Sequence, residues 1–169
     1  QDKSGWISDT LIASATDLNT SEKQNFRGKL LYAPSDELSL TLLGVHYDFE
    51  QGTTGNESDE NFLMPAQTFT APGKFSQPGG EAGYDQFGLI INYESGPYSV
   101  QNALTYIDYE SFTTILNFAP LTNEVGAETV ANELRVNYNG EGNLSWVGGI
   151  FYRDTEQLLF QDLAIIGPF

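Results

Sequence analysis

NFRGKLLYAPSDELSLTLLGVHYDF, residues 25–49, decides the fold. Before the Ala33-Pro34-Ser35-Asp36-Glu37 corner the side chains alternate. Phe26, Gly28, Leu30 and Tyr32 share one face; Asn25, Arg27, Lys29 and Leu31 share the other. A period of two is the period of a β-strand. Pro34 cannot donate to a ladder and stops the run, and Ser35-Asp36 supply turn chemistry. After the corner, Leu38, Leu40 and Leu42 alternate with Ser39 and Thr41. The apolar set then shifts to Leu43, Val45, Tyr47 and Phe49. One extra residue near Leu42–Gly44 would produce that shift, so a β-bulge is expected there. The stretch is strand, tight turn, strand.

The same pattern returns at 84–110 and at 131–154, with Ser95-Gly96-Pro97 and Asn139-Gly140-Glu141-Gly142-Asn143 as the turns. Strands are expected at about 24–33, 38–49, 84–94, 98–112, 130–138 and 144–154. Residues 155–169 are a further link or the start of another strand. Residues 11–23 are polar and are expected to be loop, as are the long stretches 50–83 and 113–129. Gly5-Trp6-Ile7 has the character of a strand tail. Short and long connections alternate. That is a single all-β segment over 1–169, an antiparallel meander of about six to seven strands, with short turns at one rim and long loops at the other.

Acids outnumber bases by 23 to 7, a net charge of −16. That excludes nucleic acid as a partner, since phosphate needs Lys and Arg to neutralise it, and it opposes adhesion to anionic lipid. The acids form a solvated face or a field that draws cations. With no cysteine there is no disulfide framework and no thiol chemistry. The start, QDKSGW, lacks the charged and apolar regions of a secretory signal. No apolar run reaches the length of a membrane helix. A membrane could then be crossed only by a closed β-barrel, whose strands hide their membrane character in alternation.

Loop asymmetry favours a barrel. So do strands of about nine to thirteen residues, which match a tilted span of hydrocarbon. Tyr32, Tyr47, Tyr93, Tyr98, Tyr106, Tyr138, Trp146 and Tyr152 stand near strand ends, where interfacial girdles lie. A soluble β-sandwich with one wet face shows the same alternation and remains the competing reading.

FRGKLLYAPSDELSLTLLGVHYD resembles the strand–turn–strand of TonB-dependent outer-membrane receptors, with their R-G-x-L-x-x-x-P-S-D-x-L-S-L core. NELRVNYNGEGNLSWVGGIFYRD resembles a later hairpin of the same family, and Gly5-Trp6-Ile7 with Asp17-Leu18-Asn19 is similar to the stretch leading into the first. The resemblance covers most of the chain. It implies a middle part of a barrel of about 22 strands, without the plug and the remaining strands. The final Phe169 closes IIGPF, which lacks the alternation of a terminal barrel strand. The resemblance implies outer-membrane uptake of a scarce ligand, of siderophore, cobalamin or glycan class, with lipid and that ligand as partners and no catalysis. The loops 50–83 and 113–129 would meet the ligand. The alternative is extracellular: a freed segment with open edges pairing with other copies of itself as a cross-β fibre.

Few residues carry candidate chemistry. Glu57, Asp59 and Glu60, in NESDEN, are ligand-contacting loop candidates and offer oxygen to a hard cation such as Ca²⁺, though their spacing is not an EF-hand. A solvated acidic loop is the competing reading, and no other cofactor is expected. Arg27, Lys29, Glu133, Arg135 and Arg153 are candidates for polar residues facing a barrel lumen, paired there or scattered along the wall. His46 is the one histidine, with Asp48 two residues on. No G-x-S-x-G elbow accompanies it, too few His or Cys exist for a zinc centre, and no phosphate-cradling Gly loop opens a helix.

Overall fold

The computed structural model describes residues 2–5, 8–9, 19–52, 62–63, 68–69, 79–116, 120–140 and 142–163. They form ten strands: β1 Asp2–Lys3, β2 Ser8–Asp9, β3 Ser21–Tyr32, β4 Leu38–Gln51, β5 Phe62–Leu63, β6 Thr68–Phe69, β7 Gly79–Ser95, β8 Tyr98–Leu116, β9 Pro120–Asn139 and β10 Ser145–Leu163. Seven of them make one sheet in the order β1-β3-β4-β7-β8-β9-β10, and every pairing in it is antiparallel. The fold is therefore an all-β meander. The short pieces β2, β6 and β5 make a separate three-stranded sheet that does not pack on the large one among the described residues.

The expected bulge does not exist. Pairing runs unbroken from Leu42↔Leu30 through Leu43↔Lys29 to Gly44↔Gly28, and equally toward β7. The apolar set changes face for another reason. Leu38, Leu40 and Leu42 share a face with Gly44, His46, Asp48 and Glu50, while Leu43, Val45, Tyr47 and Phe49 point the other way. The strand keeps its phase while its surroundings change along its length.

The strands also outrun the alternation that announces them. The loop expected over 113–129 is strand at Thr113–Leu116 and Pro120–Thr129, where β8 and β9 pair residue for residue. Pro120 opens β9, a position where a missing donor costs little. β10 runs on to Leu163, and β7 begins inside the long 50–83 stretch, at Gly79. Trp6, Ile7, residues 10–18 and the tail 164–169 lie outside the described residues.

The short turns hold one rim together. Ser95 pairs Tyr98 across Gly96-Pro97, and Gly96 has φ +55, as the first central position of a type II′ hairpin requires. Pro97 O accepts from Asn139 N at 2.8 Å and Glu37 O from Glu94 N at 2.8 Å, so each turn is tied to the next strand. The Ser35 hydroxyl beside Glu37 holds its carboxyl below the ordinary value. That small contribution is complete at neutral pH and fades as pH falls through the lowered value. We expect Gly96→Ala to cost about 1–2 kcal/mol, because an L side chain resists positive φ; a chemical-denaturation midpoint checks it.

Among the described residues no second layer covers this sheet. Ile150 is 73% exposed, Phe26 66% and Phe87 59%, and among the described residues Thr41 is the one buried polar side chain. A sandwich would bury one face against another sheet; here strands contact only their neighbours within a sheet.

A two-faced wall as candidate functional site

Antiparallel partners share a face, so the register sorts every side chain. On β7, β8 and β9, which have neighbours on both sides, the more exposed apolar residues cluster on one face: Phe87, Tyr93, Tyr98, Leu104, Phe112, Val130 and Leu134. Splayed side chains mark the convex face of a curved sheet, here called outward. The opposite face is inward.

The outward face carries an apolar band next to the short-turn rim. Its rows read Leu40, Ile91, Asn102, Leu134, Ile150 and Leu42, Leu89, Leu104, Asn132, Tyr152 across five strands. Aromatic residues edge the band. Tyr98 and Tyr138 lie 5.1 Å apart and Tyr138 and Trp146 6.0 Å apart between ring centroids. Phe87 and Tyr106 stand opposite each other at the far edge. Tyr47, expected in this girdle, is inward.

Beyond the far edge the outward face turns acidic. One register row reads His46, Asp85, Asp108, Glu128, Glu156. Glu50, Glu81, Glu110 and Glu124 follow above it. Glu110 stands between Gly83 and Gly126, and the three line part of a groove of about 660 Å³. At 3.3 Å per residue, the 20 residues of β9 span roughly 65 Å, about twice the tilted path through a band ~25 Å tall. The extra length is this acidic part.

His46 Nδ1 meets Asp85 Oδ1 at 2.8 Å. Asp48, on the same outward face, is not its partner. Both groups of the pair are about half exposed. Exposed pairs are worth little, so Asp85→Asn should lower stability by less than about 1 kcal/mol in a denaturant titration.

The inward face carries the cations. Lys3, Lys23, Arg27, Lys29, Arg135 and Arg153 are all inward. Of the acids on the seven strands, Glu94 and Glu133 alone join them. The five residues expected to face a lumen thus share one face. Arg135 pairs Glu133, and Arg153 Nε donates to Thr155 Oγ1 at 3.0 Å. Arg27 and Lys29 lie strands away on β3, so the five form no cluster. Amides and hydroxyls line the wall between: Gln101 Nε2 donates to Asn92 Oδ1 at 2.8 Å and Asn92 Nδ2 to Ser39 Oγ at 3.3 Å. Glu57, Asp59 and Glu60 lie outside the described residues. Among the described residues no group of three His, Cys, Asp or Glu is placed to hold a metal ion.

An outward apolar band with aromatic edges and a polar inner wall is the cross-section of a membrane barrel. Comparison with solved structures agrees. The ferric yersiniabactin uptake receptor from Yersinia pestis superposes with a TM-score of 0.73 over 97% of this chain, at 14% sequence identity. The fold is that of a stretch of TonB-dependent receptor barrel wall. The chain spans 26% of that receptor's length. No family model matches the sequence, and no curated protein matches it.

Three features escaped the sequence: the segregation of charge between faces, the inward Tyr47, and the length of the wall beyond the band. Register carries all three. A count of parity from Phe26 through each tight turn is the signal in the sequence that points to the first two.

Proposed function

We propose that this chain is part of the wall of an outer-membrane uptake receptor of the TonB-dependent kind, taking in a scarce ligand of the siderophore, cobalamin or glycan class. The observation that carries the proposal is the outward apolar band with its aromatic edges, on a sheet of receptor-wall shape. Lipid is the partner of the outward band. The ligand's partner is the inward wall beyond it. An edge-paired fibre accounts for less, because pairing at strand edges leaves the outward apolar band uncovered.

The test uses the full-length protein that contains this chain. We expect it in the outer-membrane fraction, migrating faster on gels before boiling than after, as folded barrels do. A deletion strain should lose uptake of one labelled ligand among ferric siderophores, cobalamin and maltooligosaccharides, and a protonophore should abolish that uptake in the parent. Recovery of the full-length protein as a soluble monomer would refute the proposal.

A further inference from the structure

We propose that the outward side chains Phe112, Leu158 and Phe160 form a docking surface for a basic segment of another protein, one whose cations alternate with apolar side chains. The inference rests on the reading of this chain as receptor wall. Register puts the three on the outward face of β8 and β10: Phe112 pairs Glu124, Glu124 pairs Phe160, and Leu158 pairs Gly126. Phe112 is 41% exposed, Leu158 54% and Phe160 53%.

Neither lipid nor the lumen accounts for them. Asp85, Asp108, Glu128 and Glu156 form an outward row between these side chains and the apolar band. Carboxylates do not sit against hydrocarbon, so the band ends before that row. At 3.3 Å per residue, Phe112 lies about 20 Å along β8 beyond Tyr106, at the band's far edge. A girdle ring stands at the edge itself. Facing outward, the three cannot line a lumen, and among the described residues no element packs over them. Single apolar residues on a wet surface need no partner, but three grouped on neighbouring strands mark a contact surface.

The surroundings select the partner's chemistry. The register row Glu81, Phe112, Glu124, Phe160 alternates acid and ring across four strands, at about 4.8 Å per strand. Phe112 and Leu158 line the groove already described, together with Gly126, Glu110 and Glu128. Gly126, which pairs Leu158, has no side chain to fill it. Every Lys and Arg among the described residues faces inward, so the described wall offers these acids no cation on their own face. A basic segment supplies that charge. Its cations meet the carboxylates and lie over the ring faces of Phe112 and Phe160, and its apolar side chains cover Leu158. Opposite potentials also speed the encounter. A second copy of this chain would set acid against acid. A phosphate-bearing glycolipid would need divalent ions between the two anions and would leave the rings uncovered.

The experiment places the full-length protein in phosphatidylcholine nanodiscs and titrates it with three short labelled peptides. One alternates lysine with leucine, one lysine with serine and one glutamate with leucine; fluorescence anisotropy is read against empty nanodiscs. We expect the lysine–leucine peptide to bind at least about tenfold more tightly than the other two. Phe112→Ser/Leu158→Ser/Phe160→Ser should weaken it at least about tenfold, as loss of a buried anchor does. Glu81→Gln/Glu110→Gln/Glu124→Gln should weaken it several-fold and flatten its dependence on salt, since the screened charges are gone. Equal binding of the two lysine peptides overturns the proposal, and so does an unchanged serine variant, because the acids then act only as a diffuse field. No peptide binding by a properly folded barrel overturns it too. A dimer of the parent that the serine variant loses overturns it in favour of a second copy. Lipopolysaccharide with calcium that shuts the peptide out of the parent, but not out of the glutamine variant, overturns it in favour of a glycolipid cover. Gel mobility before boiling checks the barrel separately, so a folded barrel that ignores the peptide removes this inference and leaves the wall reading standing.

Discussion

Leu134→Arg in the full-length protein should cost about 2–4 kcal/mol of folding free energy in bilayer vesicles, while Thr105→Arg should stay within about 1 kcal/mol of the parent. The two sites occupy neighbouring strands within the apolar band, Leu134 in its middle row and Thr105 just inside its far edge. Leu134 is outward, opposite Asn102 on one side and Ile150 on the other. An arginine there must leave its charge in hydrocarbon or distort the wall to reach water, and the cost is greatest at mid-depth. Thr105 is inward, opposite Gly88 and Ala131, on the face that already accepts Lys29 and Arg153. A new cation there meets polar wall and water. Denaturant titration of vesicle-refolded protein measures both. Equal effects, or a silent Leu134→Arg, would show that the faces are assigned wrongly, and the membrane reading would fall with them.

That contrast depends on phase, and phase is what alternation made legible. Residues 24–33, 84–94 and 130–138 show a clean period of two, because there one face meets an apolar medium and the other a polar one. Beyond the band the contrast disappears. In β8 beyond Tyr106 the outward face carries Asp108, Glu110 and Thr114, and the inward face Ser111 and Thr113. Both faces mix polar and apolar side chains there, so the strand has no reason to alternate, and from Thr113 on the sequence looks like a loop. The β-branched residues Thr113 and Thr114 of β8 and Thr122, Val125 and Thr129 of β9 were the remaining strand signal. β4 fails differently. Its inward residues beyond the band, Val45, Tyr47 and Phe49, are apolar while the outward ones are charged. The apolar face is exchanged along one unbroken strand, which imitates a bulge. Lumen candidates within the band, such as Lys29 and Arg135, could be chosen by parity.

Asn102 and Asn132 are the polar residues that the outward band should exclude, and together they set up a sharp test. Each amide donates to the other's Oδ1, at 3.1 and 3.2 Å. Each also donates its second hydrogen to a backbone carbonyl of the opposite strand, Asn102 to Glu133 at 3.3 Å and Asn132 to Ala103 at 3.4 Å. All four amide hydrogens are used, so on the membrane reading the pair meets lipid with no unmet donor. Replacing one member breaks this. Asn102→Leu leaves Asn132 with a donor and an acceptor unmatched in hydrocarbon, and the expected loss is about 1–2 kcal/mol. Asn132→Leu should cost about the same by the mirror argument. The double variant puts two leucines into a band already made of Leu89, Leu104 and Leu134, and should be within about 0.5 kcal/mol of the parent or more stable, since removing both partners removes the unmet groups. The coupling in a double-mutant cycle is then on the order of 2 kcal/mol, near the upper end for polar pairs in membranes. The same cycle in a position facing water would show far less, because water repairs the broken bond. Additive losses would mean that Asn102 and Asn132 do not face lipid, and the outward face would have to meet another protein surface or solvent at the centre of its band.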